Sequence, residues 1–128
     1  MKLNANQARD LAKTFRDLSV ALGEYRFANW TSLTKGQRDD FEDAEWTLLN
    51  YSSDFITQAV GLTLDETQTS LKNIQDATTE ALKAVNTIKK INKVIVVIGA
   101  MIKLGAAIVS ENPSLIASAT GDLVTAVA

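Results

Sequence analysis

The chain has 128 residues, 46% hydrophobic and 22% charged, with 13 basic against 15 acidic side chains, one proline, no histidine and no cysteine. A chain this long makes one domain, residues 1–128, and buries roughly two-thirds of its unfolded surface, so a core needs neither metal nor disulfide. Zero Cys removes disulfides, zinc fingers, iron–sulfur clusters and thiol nucleophiles, zero His removes the usual general base and commonest metal ligand, and near-balanced charge leaves no footprint for nucleic acid.

The N-terminus carries Arg9, Asp10, Lys13, Arg16 and Asp17 in place of the apolar stretch of a secretory signal. The expected compartment is therefore the cytoplasm, although export by a signal-independent route would leave the same sequence. Apolar spacing is helical almost throughout. Ala8, Leu11, Phe15, Leu18, Leu22 and Tyr25 recur at steps of three and four behind Asn4, a good N-cap, and predict a first helix over about 5–29. Thr34 followed three residues later by Gln37 reads as a capping box for a second helix over about 35–60. Phe41, Ala44, Leu48 and Phe55 make its stripe, and Trp46, Leu49, Ile56 and Val60 widen it to roughly half the circumference. Such a face either contacts two neighbours or leaves apolar surface for a partner.

From Leu64 a heptad runs through Leu71, Thr78, Val85 and Asn92, alternating with Thr67, Ile74, Ala81, Ile88 and Ile95, and its phase continues to Val109. The spacing predicts a third helix over about 64–109, with a break near 90–99 as the alternative and Gly99 and Gly105 as kink positions. Asn92 falls in the heptad core, where it either fixes register or stays wet because the helix rotates there. Asn112 with Pro113 then starts a last helix over about 113–127.

Val94 to Val109 is the membrane-like stretch. Its length as a helix, roughly 24 Å, falls short of the ~30 Å hydrocarbon core. Lys103 inside it costs around 2.5–3.5 kcal/mol on insertion scales, which about nine aliphatic residues only just outweigh. Lys89, Lys90 and Lys93 stand ahead of it, either as a solvated collar or as one facing anionic lipid. The remainder of the C-terminal segment is rich in Gly, Ala and Ser, which lets helices approach closely. If residues 94–127 are core, Ile98 and Ile102 lie against helices 1 and 2.

No catalytic constellation emerges. The acidic run Asp39, Asp40, Glu42, Asp43 and Glu45 reads as a solvated helical turn favoured by the dipole, without the loop glycine of a calcium motif. Without His, only a Lys-based partner remains for a serine or threonine nucleophile, and glycine-rich phosphate loops are absent. The expected fold is an all-α, antiparallel four-helix bundle, five if the third helix breaks, with an apolar C-terminal hairpin. The expected function is non-enzymatic, without metal or cofactor: binding a protein partner or a second copy through apolar helix faces, with Trp46, Val60, Asn92, Ile98 and Ile102 as candidates. The alternative is a membrane-active protein that inserts the 94–127 hairpin behind its collar of Lys89, Lys90, Lys93 and Lys103. In architecture, and through no motif, a helical domain with such a hairpin broadly resembles the subunits of helical pore-forming toxins.

Overall fold

Caps and apolar periodicity decide where the helices begin, as the computed structural model of residues 3–57, 70–87 and 90–128 shows. Five helices occur among these residues, and no strand: α1 (Ala5–Ala28), α2 (Lys35–Thr57), α3 (Leu71–Thr87), α4 (Ile91–Val109) and α5 (Pro113–Val127). Asn4 and Gln7 close a reciprocal capping box on α1. Thr34 and Gln37 do the same for α2, with the Gln37 amide donating to Thr34 Oγ1 at 3.1 Å and the Thr34 amide to Gln37 Oε1 at 2.9 Å. Ser70 Oγ accepts from the Asn73 amide at the start of α3. Asn112 accepts from the Ser114 and Leu115 amides, and Pro113 takes the first helical position of α5. Each bond satisfies an orphan donor that the helix cannot pair internally, and a cap of this kind contributes about 1 kcal/mol.

The helices form a closed circuit in which α1 packs on α2, α2 on α4, α4 on α5, α5 on α3 and α3 on α1, while α3 also reaches α4. The α1–α2 and α4–α5 contacts are the most extensive. Phe15, Leu18, Leu22, Leu48, Met101, Leu104, Ile116 and Leu123 are fully buried at the centre, each contributing about 1.5–3 kcal/mol by leaving water. Two buried serines stitch α1 to α2: Ser19 Oγ donates to the Glu45 carbonyl and Ser52 Oγ to the Ala12 carbonyl, both at 2.7 Å. Every aromatic ring of the chain lies between Phe15 and Phe55, in α1, α2 or their link. Phe15 meets Phe55 edge-to-face at 4.8 Å and Tyr51 at 6.4 Å.

The third helix takes the alternative form given for it, with a break near residue 90, and what the structure corrects is the rotation beyond that break. The predicted rod is two helices, α3 and α4, with extended backbone at Lys90, which precedes α4 without a side-chain cap. Leu71, Ile74, Thr78, Ala81 and Val85 are buried in α3 as the heptad requires. In α4 the buried set becomes Val94, Val97, Ile98, Met101, Leu104, Gly105, Ala107 and Ile108. That is a shift of one residue, about 100° of rotation, and it carries Asn92 and Gly99 to the exposed side. Asn92 is therefore not a core position. Helix α4 runs unbroken through Gly99 and Gly105. Ile98 is buried and Ile102 half-buried, facing α2 but not α1, which is no neighbour of α4 among the described residues. Val60 and Lys89 lie outside the described residues, as do Thr67, Ile88 and the proposed start near Leu64.

Candidate functional site

Two outward apolar surfaces stand out, one on α2 and one on α4 and α5. On α2, Trp46 is 61% exposed. Leu49 and Ile56 follow it at steps of three and seven residues, which places all three on one stripe facing away from the core. A groove of about 250 Å³ runs beside this stripe, with Ser19 and Arg26 of α1 on one wall and Glu42, Glu45, Trp46 and Leu49 of α2 on the other. Its floor is polar and fixed. Arg26 grips Glu45 through two bonds, Nε to Oε2 at 2.7 Å and a terminal nitrogen to Oε1 at 3.3 Å, with both side chains largely buried. The Glu45 hydrogen bond holds the Arg26 guanidinium above its already high usual pKa.

The other exposed aromatics near the groove are occupied. Phe27 stacks on Trp30 with planes 10° apart, and Arg26 and Arg38 lie over these rings at 4.7 and 4.6 Å. Trp46 has neither a ring nor a cation against it among the described residues. A large amphipathic ring without an internal partner is the kind of side chain that anchors interfaces.

The second surface belongs to α4. Among the described residues it is the one helix long and apolar enough to cross a membrane, with 19 residues, a mean hydropathy of 1.9 and 44% burial. Its length is about 28 Å, greater than the sequence stretch from Val94 suggests, because the helix starts at Ile91. Ile95 and Val96 of α4, with Leu115 and Val124 of α5, are exposed. Between α2 and α4 a groove of about 200 Å³ is lined by Phe41, Ala44, Ile95, Ile98, Gly99 and Ile102, with Gln37 and Asp40 at its rim. Ile98 and Ile102 thus form the wall of a groove.

The lysines are dispersed. Lys90 is exposed, Lys93 donates to the Ala128 backbone oxygen at 3.0 Å, and Lys103 is ion-paired with Asp122 of α5. Among the described residues no three carboxylates converge as a metal would require. Asp39 instead faces Lys35, and Glu45 is taken by Arg26. A larger groove of about 390 Å³ between α3 and α5 contains Asp76 and Glu80, but Asp76 is bound to Lys72 at 2.7 Å.

Sequence reasoning named Trp46 as a candidate and placed it with Leu49 and Ile56 at the margin of one apolar arc, and all three are exposed. It missed Asp122 as the partner of Lys103 and Arg26 as the partner of Glu45. Helix periodicity marks which residues share a face, but not which charges meet from different helices. No protein-family model matches the chain, and no curated protein or solved structure matches it either.

Proposed function

We propose that the protein is a non-enzymatic helical interaction protein whose α2 docks on another helical chain, a second copy of itself included, through the Trp46–Leu49–Ile56 stripe. An antiparallel bundle of α1, α2, α4 and α5 closed by α3 serves this function as a rigid scaffold. The carrying observation is Trp46, 61% exposed and without a ring or cation partner among the described residues, beside a groove whose polar floor is already satisfied. Desolvating such a ring at the centre of an interface is worth on the order of 2 kcal/mol or more. Sedimentation of the full chain across a concentration series tests the reading. Wild-type protein should associate, and Trp46→Ala should shift the midpoint to at least about tenfold higher concentration while melting at nearly the same temperature. A strictly monomeric wild type combined with an unfolded Trp46→Ala would make Trp46 a core residue and defeat the proposal.

A second reading, entry of α4 and α5 into a bilayer, is favoured by one observation: a helix of about 28 Å, mean hydropathy 1.9, with 44% of its apolar window buried and Ile95 and Val96 exposed.

A further inference from the structure

Helices α4 and α5 together contain three charged residues, Lys93, Lys103 and Asp122. Lys93 lies in the first turn of α4, beside the exposed Lys90. Glu111 occupies the turn between the helices. If α4 crosses a bilayer, these ends fall at the two headgroup layers, and a basic end suits anionic lipid; α5, 15 residues and about 22 Å long, enters beside it without itself spanning. Lys103 and Asp122 differ, because each lies on the order of 10 Å along its helix from the connecting turn. They are ion-paired with each other across the two helices.

From this we propose that α4 and α5 enter a lipid bilayer as one unit, and that the Lys103–Asp122 pair is a charge clip that makes the unit's interior electrically neutral. The inference rests on the second reading above and specifies how it would work. The contact between α4 and α5 exceeds the contact of either helix with α2 or with α3 taken singly, so each is the other's main neighbour.

The same pair has different consequences in the two solvents. In water both side chains are half-exposed, and an ion pair of this kind adds little to folding. In hydrocarbon a lone Lys or Asp is expelled, whereas a paired one is tolerated. Taken alone, Lys103 is an obstacle whose removal should aid insertion. Pairing reverses that expectation, since removing Lys103 exposes Asp122.

The test is flotation of the purified full chain on vesicles of phosphatidylcholine, with and without phosphatidylglycerol. Wild type is compared with Lys103→Leu, Asp122→Leu, the double leucine variant and the charge swap Lys103→Asp with Asp122→Lys. All should melt in water within a few degrees of wild type, and any that does not is judged through the charge swap, which keeps the pair. Wild type should float, each single variant should partition about tenfold less or worse, and both double variants should recover. Single variants that float as well as wild type or better would overturn the clip while leaving bilayer entry standing. If neither wild type nor the double leucine variant floats, bilayer entry itself is refuted, and the clip with it.

Discussion

Gly105 and Gly99 are both interior glycines of α4, and identical substitutions there should have opposite effects. A Cβ at Gly99 meets nothing within 4 Å, so Gly99→Ala gains only helix propensity, about 0.5–1 kcal/mol. A Cβ at Gly105 would run into Cγ, Cδ2 and Cε2 of the Tyr51 ring on α2. That ring cannot swing aside freely, because Phe15 lies 6.4 Å away at its edge and Phe55 stacks on it at 6.4 Å. Overpacking of this kind costs about 1–3 kcal/mol and more than cancels the propensity gain. Gly105→Ala should therefore melt below wild type and Gly99→Ala above it, the two separated by about 1–3 kcal/mol. For a domain of this size each kcal/mol is roughly 3–5 °C of Tm. Calorimetry of the two variants reads the separation directly. The cause is isolated by a double-mutant cycle with Tyr51→Ala, in which the methyl at 105 should become neutral or favourable and the coupling should match the clash. Equal melting temperatures for the two glycine variants would refute the close approach of α2 and α4 at Gly105.

Two further outcomes follow from burial. Ile98, 4% exposed, should lose about 2–5 kcal/mol on truncation to alanine by urea unfolding, and half-buried Ile102 clearly less; a loss under about 1 kcal/mol at Ile98 would mean that α4 is not seated on α2. Tyr25 and Tyr51, the only tyrosines, are both pushed above the usual 10.0, Tyr25 by burial and Tyr51 by burial and then by the Asp54 charge. A proton held more tightly in the folded state makes their contribution to stability fully present below pH 10.0 and lost as pH rises through the higher folded values. Tyrosinate absorbance should accordingly appear later in native protein than in urea, and coincident titrations would contradict the burial of Tyr25 and the half-burial of Tyr51.

The parts of the fold that were legible in the sequence are those fixed by local chemistry. Asn4, Thr34 with Gln37, and Asn112 with Pro113 set the starts of α1, α2 and α5 through bonds spanning three residues or fewer. The division between α3 and α4 was legible only as an alternative, and the change of rotation across it was not, for a physical reason. Val94 to Ile98 are five consecutive β-branched apolar residues. Such a run offers a buried face at any rotation, so the heptad carried from Leu71 passes through it without visible error. Only packing on α2, α3 and α5 selects the rotation that turns Asn92 outward. The exposure of Trp46 was half legible, from its place at the margin of an arc. The Lys103–Asp122 pair was not, because it depends on how α4 and α5 dock over a separation of nineteen residues.

The confinement of all aromatic rings to the stretch from Phe15 to Phe55 divides the molecule optically. Helices α3, α4 and α5 contain no near-ultraviolet chromophore, so intrinsic fluorescence and near-ultraviolet dichroism see only one side of the molecule. Docking through α2 would move Trp46 out of water and shift its emission to shorter wavelength. Departure of α4 and α5 into lipid would leave Trp46 wet and register mainly through Tyr51, which loses its glycine neighbour. A tryptophan placed at exposed Val124 would give the silent half its own colourless label, and the two readings of this protein would then be separable by their spectra alone.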